Sequence, residues 1–220
     1  IFARRCIRNQ HNSEETKTPT NSTRPPVHNP AWQSLQKRLQ PLRQYACRLR
    51  DSGKADDSPT IHLGNYKTPL LWKVVKIIED RALLICSTPL KDLFYNRNSS
   101  KADWNSSSLK HYLNTIFLEK DFDWNERALI CPFDFIWAEA HFYPSISHEA
   151  STSDNAVFIP SQSEWIEYTK NTTPKDRVNY RKDGTFEPFW LRNTLKMKPY
   201  ALYVKNDGNI DPNGLPVNHN

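Results

Sequence analysis

Residues 102–130 read ADWNSSSLKHYLNTIFLEKDFDWNERALI, and the spacing of their apolar and capping side chains decides how the rest of the chain is read. Three serines, Ser106 to Ser108, stand directly before Leu109, Tyr112, Leu113, Ile116 and Phe117, which recur at steps of three and four. That pattern predicts a helix with one apolar face and a serine cap, because a hydroxyl satisfies backbone N–H groups that a first helical turn leaves open. Asp123 with Glu126 three residues on predicts a capping box and a second short helix running to Ile130. Two short helices with their own start signals imply a core built from small pieces.

Strand signals flank this stretch. LLWKVVKII (70–78) and RALLICS (81–87) are β-rich runs separated by Glu79-Asp80, which reads as a hairpin. Downstream, 132–155 carries no clear period and reads as a long loop or insertion. VFIPS (157–161) reads as a strand, and Ser161 with Glu164 caps a helix carrying Trp165 and Tyr168. FWLRN (189–193) and ALYVKNDGNI (201–210) read as strands, with Asp207-Gly208 supplying a hairpin turn. The expected class is therefore α+β.

Toward the N-terminus the texture is different. Residues 1–28 are polar, basic and poor in large apolar side chains, so they are expected to form a disordered arm that cannot offset its ordering entropy. Residues 29–50 are expected to be an amphipathic helix, with Trp32, Leu35, Leu39, Leu42, Ala46 and Leu49 on one face and Lys37, Arg38, Arg43, Arg48 and Arg50 around the remainder. Pro41 should kink or break it. A linker at 51–60 then leads to the main domain at 61–220.

Charge follows the same division. Residues 1–57 hold 11 Lys and Arg against five acids, whereas residues 58–220 hold 19 of each. Affinity for nucleic acid or an anionic membrane is therefore expected only from residues 1–57, the basic arm with its helix. The five glycines include no GxGxxG or Walker spacing, which excludes glycine-cradled nucleotide sites. Apolar runs reach only about five residues, far short of the roughly 20 that cross a bilayer as a helix. The four cysteines, Cys6, Cys47, Cys86 and Cys131, form no CxxC pair, and Cys86 and Cys131 read as buried thiols.

Taken in order, GNYKTPLLWKVVKIIEDRALLICSTPL, the 102–130 stretch, VFIPSQSEW, FWLRN and ALYVKNDGNIDPNGLPVN resemble a bacterial and phage domain family of unassigned function with the C-type-lectin-like fold. The most specific parts are W-x-x-S-S-L-x-x-x-L-N-x-x-F (Trp104, Ser107, Ser108, Leu109, Leu113, Asn114, Phe117) and the W-L-R of Trp190, Leu191 and Arg192. The resemblance implies a small mixed or antiparallel sheet with two or three short helices, on a scaffold shared with formylglycine-generating enzymes and with the variable proteins of diversity-generating retroelements. Those enzymes use cysteine thiols of their C-terminal half to hold copper. Here no cysteine follows Cys131, so the resemblance implies the scaffold without that oxidoreductase chemistry.

No catalytic set, cofactor or metal is expected. Glu139, His141, His148 and Glu149 crowd one loop but share no helical or strand face. Asn209, Asp211, Asn213 and Gly214 echo the start of a calcium loop, yet position twelve is Asn220 and not a carboxylate. Trp190 and Arg192 are expected to lock the core and its polar network. What remains for function is surface. Asn193, Tyr200, Tyr203, Asn206, Asp207, Asn209 and Asn213 give the C-terminal half the tyrosine and asparagine content of adaptable binding loops, and in the retroelement variable proteins that half carries the ligand face. The expectation is a non-enzymatic module recognising a protein or glycan, with the Trp32 to Leu49 helix docking on a partner subunit. The alternative is a scaffolding subunit whose basic arm contacts nucleic acid or membrane. An extracellular, cell-surface or virion setting follows from the resemblance alone.

Overall fold

A computed structural model describes residues 2–6, 30–52, 58–78, 81–90, 93–97, 102–130, 156–170, 172–195 and 198–218. Strand β1 (Phe2–Cys6) comes first, followed by helix α1 (Pro30–Ser52) and strands β2 (Thr60–Tyr66), β3 (Thr68–Ile78) and β4 (Arg81–Cys86). A helical run follows: α2 (Ser108–Tyr112), a π-helical turn (Leu113–Phe117), α3 (Leu118–Asp121) and α4 (Trp124–Arg127). Strand β5 (Val157–Phe158), helix α5 (Gln162–Lys170) and strands β6 (Phe189–Thr194), β7 (Tyr200–Val204) and β8 (Ile210–Pro216) complete the order.

The strands form two antiparallel sheets, one ordered β2-β3-β4-β1-β5 and the other β6-β7-β8. The architecture is thus mixed helix and antiparallel sheet. One buried cluster runs through both sheets. Leu35, Leu39 and Leu42 of α1, Trp72 and Val74 of β3, every residue from Ala82 to Cys86, Phe117, Trp165 and Val204 belong to it.

Capping follows the local signals. Ser107 Oγ accepts the Lys110 N–H at 3.1 Å, and Asp123 and Glu126 close a reciprocal box. Ser161 and Glu164 do the same, with Ser161 N donating to Glu164 Oε2 at 2.6 Å and Glu164 N to Ser161 Oγ at 3.2 Å.

Four expectations change at the N-terminal side. Phe2–Cys6 of the expected disordered arm is strand β1, hydrogen-bonded between β4 and β5. Backbone bonding is the reason: β4 is buried and its free edge needs N–H and C=O partners, which a short segment of almost any side-chain composition supplies. The helix is continuous through Pro41, because Leu39 and Leu42 on either side are fully buried and that packing outweighs the missing N–H bond. Asp51 and Ser52 also belong to the helix, and Thr60 opens β2, so the expected linker is shorter at both ends. The apolar stripe of α1 packs into the chain's own core, so Leu35, Leu39 and Leu42 are not open to a partner subunit. The strand expected at 157–161 is Val157–Phe158 alone, since the Ile159 and Pro160 carbonyls turn to Arg192.

Among the described residues, no helix is long and apolar enough to cross a membrane.

Candidate functional site

The β7–β8 hairpin ends in a turn whose backbone is fixed from several directions. Lys205 N donates to Asn209 O at 2.8 Å and Gly208 N to Lys205 O at 2.9 Å. Asp207 Oδ1 accepts the Asn209 N–H at 2.9 Å, and that bond holds the Asp207 carboxyl below the ordinary aspartate range. Lys205 Nζ lies 3.3 Å from the other carboxylate oxygen. Gly208 has φ +81, and a Cβ there would meet the Phe186 ring at 2.6 Å. Only glycine accepts both the left-handed backbone and that close approach. Phe186 is itself buried, stacks edge-on to Tyr180 at 5.3 Å, and donates its N–H to Asn206 O at 2.7 Å. The exposed side chains of Asn206, Asp207 and Asn209 therefore stand on a turn braced by an aromatic pair from another loop.

The other expected site residues divide between this surface and structural duties. Trp190, Tyr203 and Asp211 lie opposite one another across β6, β7 and β8. The Tyr203 hydroxyl donates to Asp211 Oδ2 at 3.1 Å, and the Trp190 and Tyr203 rings meet edge-on at 6.4 Å. Burial, followed by that bond to Asp211, raises the tyrosine's pKa above the ordinary value. Asn213 is exposed, and its N–H donates to Asp211 Oδ1 at 2.8 Å. Asn193 is not on this surface: its Oδ1 accepts the Gln162 N–H at 2.5 Å and so serves the start of α5. Tyr200 is half-buried at the opposite end of β7 from the turn, with Lys198 Nζ 5.9 Å from its ring centre.

The stretch that echoes a calcium loop is instead an irregularity in the β7–β8 ladder. Ala201 pairs with Leu215 and Tyr203 with Asp211, so β8 carries extra residues between the pairs. Gly214 makes that possible, since a Cβ there would lie 2.7 Å from Ala201 O. Both Asp211 oxygens are engaged by Tyr203 and Asn213. Among the described residues no three His, Cys, Asp or Glu side chains group to hold a metal ion. Glu139, His141, His148 and Glu149 lie outside the described residues.

Buried ionic groups link the elements together. Arg192 Nη1 reaches Glu164 Oε2 at 2.9 Å and Ile159 O at 2.8 Å, while its guanidinium lies 5.3 Å from the Phe158 ring centre. Trp190 Nε1 donates to Leu93 O at 3.1 Å, so Trp190 and Arg192 both tie the interior together. Glu126, beyond capping α4, accepts Gly64 N at 3.1 Å and Arg38 Nη1 at 2.6 Å. Asn114 brackets β5, its Oδ1 accepting Ala156 N and Val157 N and its Nδ2 donating to Val157 O and Lys110 O. Sequence reading missed the Glu126 and Asn114 roles. The L-N step of the helical pattern was the only signal for Asn114, and nothing local links Arg38 to Glu126.

Two antiparallel sheets joined by short capped helices define a small mixed α/β domain with an exposed, braced hairpin. Residues 79–220 match the family described as a domain of unknown function (DUF6273), and the chain belongs to that family. Neither a curated protein nor a solved structure matches the chain.

Proposed function

We propose that this chain is a non-enzymatic recognition module with a C-type-lectin-like scaffold, taking a protein or glycan ligand on the β7–β8 hairpin. The braced turn carries this reading: Asn206, Asp207 and Asn209 are exposed while their backbone is held by Phe186, Gly208 and the Asp207–Asn209 bond. A backbone fixed in advance loses little freedom on binding, which is what a recognition loop needs. Tyr203, Asp211 and Asn213 extend the polar surface toward the sheet.

Support for the scaffold comes from the order of parts: a β3–β4 hairpin, a serine-capped helix, a capping-box helix, and a second antiparallel sheet closed by the final hairpin. The chain also returns on itself, with Asn96 N donating to Val217 O at 2.8 Å and Val217 N to Pro199 O at 2.9 Å. Glu126 and Glu164, the buried carboxylates of the described helices, are committed to caps and ion pairs, which favours display over chemistry.

A combined glycan and protein array probed with the full chain tests the reading. A ligand retained by the wild type and weakened about tenfold or more by Asn206→Ala with Asn209→Ala, at unchanged thermal midpoint, is the expected result. Equal retention by the double variant would move the site elsewhere.

A further inference from the structure

The outward face of α1 differs in chemistry from the hairpin. With Leu35, Leu39 and Leu42 turned into the core, Gln33, Lys37, Pro41, Gln44 and Arg48 are all exposed. Their spacings of four, four, three and four set them in one line along the helix. Lys37 and Arg48, 11 residues apart in the sequence, are separated by about 16 Å at 1.5 Å per residue. Arg43 is exposed beside this line and bonds Gln36 Oε1. The helix contains a single acid, Asp51 in its last turn, three residues after Arg48. The nearby carboxylates of Asp123 and Glu126 meet Arg38 on the flank toward α4.

We infer that this ridge binds the phosphate backbone of a nucleic acid. Exposed cations interspersed with glutamine amides are side chains of the kind that contact phosphate and sugar without reading bases. A duplex offers one negative charge per roughly 1.7 Å, so a ridge of this length spans several phosphates. A membrane fits less well, because Leu35, Leu39 and Leu42 of the apolar stripe are already buried in the core. A protein partner fits less well too, since the line holds no large apolar anchor. This surface is independent of the hairpin.

The test uses the full chain and a fluorescein-labelled DNA duplex of about 20 base pairs, followed by fluorescence anisotropy across a salt series. Wild type is expected to bind, with affinity falling as salt rises. The Lys37→Gln with Arg48→Gln variant should bind about tenfold more weakly, with a log–log salt slope smaller by about 2. Lys37→Arg with Arg48→Lys should restore wild-type behaviour, and all three proteins should share one thermal midpoint. Three results would overturn the inference: no salt-dependent binding by wild type, an unchanged slope in the glutamine variant, or preferential retention on vesicles of anionic phospholipid.

Discussion

Asp207 shows how one carboxylate holds the β7–β8 turn. Its Oδ1 accepts the Asn209 amide, which stabilises the ionised form and lowers the folded-state pKa. A depressed folded value means that the contribution is present above the unfolded aspartate pKa, near 3.9, and is lost as pH falls through the lower folded value. The Asn209 amide resonance is therefore expected to titrate with a midpoint below about 3.9, and Asp207→Asn should abolish that titration. A midpoint at or above the ordinary value would mean that the turn does not depend on this bond. Part of the residue scale was legible in advance. Asp207-Gly208 announced a turn, and Ser161 and Glu164 announced a cap, because these signals act between neighbours. The brace from Phe186 was not legible, since it joins segments about 20 residues apart through ring contact rather than local preference. Asn193 read as a binding residue for the same reason: composition cannot tell an amide displayed to solvent from one that satisfies a distant helix start.

At the scale of elements, the π-helical turn Leu113–Phe117 is tied to Asn114. Its side-chain Nδ2 takes Lys110 O, the carbonyl that the backbone N–H of residue 114 takes in a regular α-helix. The same amide meets both polar groups of Val157, a fully buried residue of β5. Removing it leaves those groups without their side-chain partner, at a cost of about 3 kcal/mol. Asn114→Ala is expected to lower the free energy of urea unfolding by about that amount. Asn114→Asp should not restore it, because a carboxylate cannot donate to the Val157 carbonyl. An alanine variant as stable as wild type would remove Asn114 from this role. Helices α2, α4 and α5 were the most legible elements, as each carries its own cap. Strand β1 was the least legible, because its partners β4 and β5 lie far along the chain and its composition follows their needs only weakly.

For the whole molecule, the family match and the folded unit have different limits. The matched segment begins at residue 79, inside the β3–β4 connection. The core nevertheless takes Leu35, Leu39 and Leu42 from α1, Ile61 and Leu63 from β2, and Leu70, Trp72 and Val74 from β3. Glu126, within the match, bonds Arg38 and Gly64 outside it. Residues 79–220 produced alone are therefore expected to lack a cooperative thermal transition and to aggregate along the uncovered edge of β4. The full chain should unfold in one step. A sharp transition in the fragment would show that α1, β2 and β3 are accessory. The sequence suggested a boundary near residue 60 because charge and polarity change there, whereas burial of the α1 stripe depends on a surface that forms only when the sheet does.

The central claim is that a braced hairpin recognises a ligand. Amide chemical-shift mapping of the full chain with the ligand selected on the array tests it most directly. The account predicts that the largest shifts fall on Tyr203, Asn206, Asp207, Asn209 and Asn213, while the buried amides of β4 stay in place. Largest shifts on residues remote from the β7–β8 turn, with the turn unmoved, would contradict it.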